Sequence, residues 1–205
     1  FSKSKGNGVD PLEIINSGYG ADALRTYLMF AAPLDLWIRW DPQGVPGTYR
    51  FLNRVWNITQ EFLESKDAGG ETDLPLKAIH PAIKKVTHDI ENQKYNTAIS
   101  AMMKATNDLY EIKAKQGFKG ERVWRPALEA LVQLIAPFAP HTAEQLWQDL
   151  GHKDSVNKDN WPQWDEKYLV SDTVTYAVQV NGKLRGEVEV SVDADQETVV
   201  SAAKA

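Results

Sequence analysis

Apolar residues recur at steps of three and four through the middle of the chain. Phe51, Val55, Ile58 and Phe62 mark a helix over residues 45–63. Leu76, Ile79, Ile83, Val86 and Ile90 mark a second, which Pro81 must either kink or open. Ile99, Met102, Met103, Thr106, Leu109 and Tyr110 mark a third, beginning near Asn96 or Thr97 as cap. Trp124, Leu128, Leu131 and Ile135 mark a fourth, which Pro137 and Pro140 end. A last helix runs to Leu150, with Gly151 as its C-terminal cap. At its start Thr142 and Gln145 have the spacing of a capping box, which makes His141 a helix-entry residue. Amphipathic helices joined by short or polar connections such as Asp67-Ala68-Gly69-Gly70 predict an antiparallel helix bundle and a mainly α fold.

Both flanks depart from this pattern. Near the start, Asp10-Pro11 reads as an N-cap and first helical position. It opens a short helix over 12–16 that ends in Ser17-Gly18-Tyr19-Gly20. A second helix over 21–32 stops before Pro33. From Thr173 the period changes to two: Val178, Val180, Leu184, Val188, Val190 and Val192 alternate around Asn181-Gly182, predicting a β-hairpin. A two-residue loop would pair even positions with odd ones. Keeping the apolar residues on one face therefore requires an odd-length loop or a bulge, with Gly182 at positive φ. Residues 197–205 look helical again. Two strands and part of a helix form an incomplete α/β segment, whose valines should be more exposed than the bundle stripes.

Composition excludes more than it assigns. The chain has 205 residues, 42% of them hydrophobic and 25% charged, which suits a soluble globular protein with a sizeable core. No apolar run approaches the ~20 residues of a membrane span, and no charged-then-apolar leader is read at Phe1. Cysteine is absent, so disulfides and cysteine-ligated zinc are excluded; no metal site is assigned, and a cytoplasmic location is expected. The net charge of −5 gives no support to nucleic-acid binding unless cations gather on one face.

The sharpest chemical signal is Phe1-Ser2-Lys3-Ser4-Lys5-Gly6-Asn7. Two cations and two hydroxyls in a glycine-flanked loop suit a polyphosphate and the charge that develops as a P–O bond breaks. The spacing is not that of a Walker loop. Followed by Gly8-Val9-Asp10-Pro11 and by Tyr19-Gly20-Ala21-Asp22-Ala23-Leu24-Arg25, this string resembles the KMSKS loop and succeeding helices of the class I aminoacyl-tRNA synthetases. Later segments resemble the leucyl branch of that family: Gly44-Val45-Pro46-Gly47 with Arg50-Phe51-Leu52-Asn53-Arg54-Val55-Trp56, then Asn96-Thr97-Ala98-Ile99, Ala136-Pro137-Phe138-Ala139-Pro140-His141, and Val178 through Gly186.

The resemblance implies residues 1–33 as the end of a catalytic core, 34–168 as a bundle of the anticodon-binding type, and 169–205 as the start of a small C-terminal domain. It implies Ser2, Lys3, Ser4 and Lys5 as ATP contacts, with Lys3 the catalytic lysine that stabilises departing pyrophosphate. The whole enzyme would use ATP and Mg2+ to activate leucine and load it onto tRNA-Leu, as a monomer. Phe1 stands where the family pattern has Met, which keeps an apolar anchor. The family's His-x-Gly-His motif has no match among His80, His88, His141 and His152, so the chain is expected to be inactive alone. A valyl, isoleucyl or methionyl enzyme, or a free-standing helical interaction module, are the alternatives.

Arg50 and Arg54 lie four apart on one helix face, spaced for successive phosphates or for carboxylates such as Glu61 and Asp41. Lys183 and Arg185 at the hairpin are the other candidate tRNA contacts, as the resemblance implies. The tryptophans Trp37, Trp40, Trp56, Trp124 and Trp147 read mostly as core.

Overall fold

The computed structural model describes residues 8–37, 40–41, 43–65, 69, 72–169, 173–180, 183–191 and 194–204. The chain divides into two compact units, Phe1–Trp164 and Asp165–Ala205.

In the first unit, Asp10 caps a single turn, α1 (Pro11–Ile14), its carboxylate accepting the Leu12 N–H at 2.9 Å. The helix expected over 12–16 passes at Ile15 into a π-helical turn, Ile15–Tyr19, broken by Gly18 at φ 100°. A side chain would be strained in that left-handed geometry. The turn leads into α2 (Gly20–Phe30). Next come α3 (Gly44–Glu64), α4 (Leu74–Glu91), α5 (Tyr95–Gln116), α6 (Glu121–Ile135) and α7 (Pro140–Asp149).

The predicted stripes form the core. Phe51, Val55, Ile58 and Phe62 of α3 meet Ile79, Ile83 and Val86 of α4 in one buried cluster. Ile99, Met102 and Leu109 of α5 and Trp124, Leu128, Leu131 and Ile135 of α6 complete it. Each large apolar side chain so buried contributes about 1.5–3 kcal/mol. Packing of the apolar faces, more than intrinsic propensity, therefore holds these helices. Trp124 and Trp147 are in that core and Trp40 and Trp56 are packed at its edge, whereas Trp37 is fully exposed.

Three local expectations are corrected. Pro81 does not open its helix: α4 starts at Leu74 and continues through Pro81, which sits on the exposed face. Asn96 and Thr97 are not the cap of α5, which begins at Tyr95 after Lys94. The Thr97 hydroxyl instead donates to the fully buried carboxylate of Asp89 at 2.6 Å, as does Lys85. Burial alone would raise the Asp89 pKa, but hydrogen bonds from Lys85 and Thr97 hold it below the ordinary value. Third, Thr142 and Gln145 do not form a capping box; Gln145 donates to Asp149 at 2.8 Å, and the cap of α7 comes from α2. Gly151 does end α7 in the left-handed region at φ 99°, its N–H reaching the Gln148 carbonyl.

The second unit holds the hairpin of β1 (Thr173–Val180) and β2 (Lys183–Ser191), followed by α8 (Gln196–Lys204) against β2. Val180 pairs with Lys183 and Gln179 with Leu184, and then the register shifts so that Val178 pairs with Gly186. Arg185 is the extra residue. The expected bulge is present, but it lies in β2 past the turn, so the parity argument holds only beyond it: Leu184 pairs with odd-numbered Gln179, against expectation; Asn181 and Gly182 lie outside the described residues. Beyond Arg185 even pairs with even: Tyr176 with Val188 and Val174 with Val190. Val190 is 7% exposed and Val178 and Val188 are half-buried, against 0% for Leu128 and Leu131.

Candidate nucleic-acid interface

The residues after the serine–lysine string are fastened to the bundle. Asp22, in the first turn of α2, has a buried carboxylate, 9% exposed. One oxygen faces His141 Nδ1 at 2.8 Å; the other accepts the Thr142 N–H at 2.7 Å and its hydroxyl at 2.8 Å. A helix start leaves N–H groups unpaired, and here a carboxylate from another helix takes one of them. Burial pushes the Asp22 pKa up, but hydrogen bonds from His141 and from the Thr142 hydroxyl and backbone outweigh it and hold the group below the ordinary value.

Further ties run beside it. The Thr48 hydroxyl donates to the Ala23 carbonyl at 2.9 Å, and Arg25 donates to the Pro137 carbonyl at 3.2 Å. The Tyr27 hydroxyl accepts the Asp41 N–H, and its ring lies on Gly44, where a Cβ would come within 2.1 Å of it. Only glycine fits there, so α3 can start against α2.

Between the starts of α2 and α7 and the side of α3 opens a cleft of 360 Å³, walled by Tyr19, Tyr49, Asn53, Trp56 and His141. Tyr19 and Tyr49 meet edge to face, with centroids 5.5 Å apart. The flank of α3 beside this wall carries the two arginines, Arg50 following Tyr49 and Arg54 following Asn53. Arg54 donates to Asn107 at 2.5 Å and lies 4.6 Å from the centre of the Tyr110 ring, whose hydroxyl donates to the Arg54 carbonyl. It bridges α3 to α5 through these groups rather than through Glu61 or Asp41; Glu61 pairs with Lys113. Arg50 is exposed and has no hydrogen bond or ion pair among the described residues. Several other cations pair along their own helices: Lys77 with Asp73, Lys104 with Asp108, and Arg125 with Glu121.

The remaining sequence-predicted residues lie outside the first unit's described residues or in the second unit. Ser2, Lys3, Ser4 and Lys5 lie outside the described residues. Arg185 is the exposed bulge residue of β2; Lys183 belongs to the same strand, and its side chain is outside the described set. Sequence reasoning missed Asp22 and the cleft, because neither shows in any local spacing. Among the described residues no helix is long and apolar enough to cross a membrane.

Comparison with known proteins gives the fold its context. A family model described as the anticodon-binding domain of tRNA ligase matches residues 75–200. The leucine–tRNA ligase of Deinococcus radiodurans is 46% identical over the whole chain, which spans 25% of that protein's length. That of Synechococcus sp. (strain JA-3-3Ab) is 44% identical over 94% of the chain and 24% of its own length. Among solved structures, the LeuRS of Agrobacterium radiobacter K84, in a ternary complex with tRNA and LeuAMS, superimposes with a TM-score of 0.74 at 33% identity. That match covers 98% of this chain and 26% of that one. The chain thus spans about a quarter of the length of these relatives. The family match takes in α4 through α7 and the hairpin, more than half of the sequence, and the chain belongs to the family of anticodon-binding domains of tRNA ligases.

Proposed function

We propose that this chain is a C-terminal part of a leucine–tRNA ligase, which activates leucine with ATP and Mg2+ and esterifies it to tRNA-Leu. The observation that carries the reading is identity of 46% with a leucine–tRNA ligase along the entire chain, the serine–lysine string included. The relatives bear the leucine enzyme's name, which favours this reading over a valyl, isoleucyl or methionyl enzyme and over a free-standing module.

On this reading residues 1–33 end the catalytic core, 34–168 form the tRNA-bracing bundle and 169–205 start the small C-terminal domain. Ser2, Lys3, Ser4 and Lys5 hold the ATP polyphosphate, and Lys3 stabilises the charge on departing pyrophosphate. Arg50, Arg54, Lys183 and Arg185 contact tRNA; Arg50 and Arg185 are exposed, whereas Arg54 shares its guanidinium with Asn107 and Tyr110. The fastening of α2 to α3 and α7 supports the reading, since it ties the segment behind the loop to the bundle that carries the RNA. The enzyme works in the cytoplasm as a monomer.

The test is Lys3→Ala in the full-length enzyme. Losing a charge stabiliser at the reacting centre costs ~2.7–4 kcal/mol, a rate loss of about 10²–10³-fold. Leucyl-adenylate formation should slow by that factor while leucine binding stays near its original strength. An unchanged activation rate removes Lys3 from the mechanism.

A further inference from the structure

The cleft between α2, α3 and α7 has features that fastening the helices does not require. Tyr49, Asn53 and Trp56 stand at i, i+4 and i+7 on one side of α3, and all three wall it. The Tyr49 hydroxyl, the Asn53 amide and the Trp56 indole N–H make no hydrogen bond among the described residues. His141, 78% exposed, uses Nδ1 toward Asp22 and leaves its other ring nitrogen without a partner among the described residues. Aromatic walls and unspent hydrogen-bonding groups thus face one space, whose 360 Å³ falls in the range of small-ligand sites.

The charge in the cleft selects among ligands. The Asp22 carboxylate is part of its lining, and both its oxygens are already engaged by His141 and Thr142. A phosphate inside would face that anion, and a cation would find no spare oxygen directed to it. A neutral, flat, polar ring suits the cleft: it can stack on the aromatic wall and exchange hydrogen bonds with the Asn53 amide, which offers both a donor and an acceptor. Outside the cleft, Arg50 follows Tyr49 on α3 with its guanidinium unspent, where a backbone phosphate adjoining such a ring would pass.

We propose that this cleft receives one unstacked nucleobase of the bound RNA, stacked on the Tyr49 and Trp56 side and read by Asn53, while Arg50 holds a neighbouring phosphate. The proposal rests on the tRNA-ligase reading and names where on the bundle a base is held.

The experiment measures binding of an unmodified tRNA-Leu transcript to the chain across a range of salt concentrations, with Asn53→Ala, Tyr49→Leu and Arg50→Gln variants. Stacking and base contacts contribute enough that Asn53→Ala and Tyr49→Leu should each weaken binding about fivefold or more. Neither should change the salt slope, whereas Arg50→Gln should weaken binding and lower the slope by about one. Chemical footprinting should find one base protected by the wild-type chain and by Arg50→Gln but exposed with Asn53→Ala. Tyr49 packs on Tyr19, so its variant is first checked for cooperative unfolding; Asn53→Ala removes only an unpartnered amide and keeps the test decisive if Tyr49→Leu does not fold. Wild-type affinity in Asn53→Ala, with the transcript still bound, overturns the cleft and leaves the tRNA-ligase reading standing. Failure of the wild-type chain to bind the transcript even at low salt overturns the bundle's tRNA role, and this proposal with it.

Discussion

Asp22 does work that no local rule assigns to it. As an acidic residue in a first turn it would ordinarily serve the dipole of its own helix; here it also caps α7, 120 positions along the chain. Asp22→Ala leaves the Thr142 N–H and hydroxyl without their acceptor, and a buried donor so stranded costs ~1–3 kcal/mol. The cost should depend on pH. Because the folded-state pKa lies below the ordinary carboxylate value of ~3.9, the unfolded chain binds the proton more readily. The stabilisation is therefore fully present above that value and is lost as pH falls through the lower folded one. Urea unfolding of wild type and Asp22→Ala should differ most at neutral pH and converge below about pH 4. A gap that does not change with pH would mean that packing, and not the charged cap, holds α2 to α7.

At the scale of elements, the helices were legible because burial repeats with the helical period; Val55, Ile58, Leu128 and Leu131 could be picked as core from spacing alone. What spacing could not give were the features set by distant partners. Thr97 looked like a cap but serves Asp89, and the residue left out of the strand pairing is Arg185. Parity called for an odd-length loop or a bulge at Gly182, and spacing could not show that the residue left out would lie past the turn. Deleting Arg185 should remove the bulge and keep Tyr176 opposite Val188, seen as a cross-strand contact between their α-protons by NMR. Loss of that contact would mean that the bulge itself holds the register. Of the two readings of Pro81, a kink or a helix start, the start is excluded, since α4 begins at Leu74. Pro81 in α4 and Pro126 in α6 both lie on exposed faces inside continuous helices. An interior proline still costs ~3 kcal/mol, partly offset by ~0.4–1 kcal/mol through a stiffer unfolded chain. Pro81→Ala should accordingly raise stability by about 2–2.6 kcal/mol in urea melts. A loss of stability would show that the ring is needed for the course of α4.

For the whole molecule, composition and the proposed RNA partner point in different directions. A net charge of −5 does not suggest an RNA partner, and the ion pairs show why the total misleads. Lys77, Lys104 and Arg125 answer carboxylates on or next to their own helices, pairs worth little singly, so what matters is the few cations left over, Arg50 first among them. The cleft escaped sequence reading because Tyr49, Asn53, Asp22 and His141 come together only through the docking of three helices. The proposed activity, by contrast, rests on one short string, Ser2 through Lys5, and on resemblance spread along the chain. In the proposed reading that string is half of a nucleotide site. The other half in the class I enzymes is a His-x-Gly-His turn, and no two of His80, His88, His141 and His152 have its spacing. Loop lysines act on charge that appears only as the α-phosphate is attacked, so without groups to seat ATP and leucine in line there is no transition state for them to stabilise. The chain, given leucine, ATP, Mg2+ and radiolabelled pyrophosphate, should therefore show exchange no higher than a protein-free blank. The same preparation should unfold cooperatively in urea, so that the null result is not due to a misfolded sample. Leucine-dependent exchange above the blank would mean that these 205 residues hold a complete adenylation site of another design, and the division of labour argued for Lys3 would have to be abandoned.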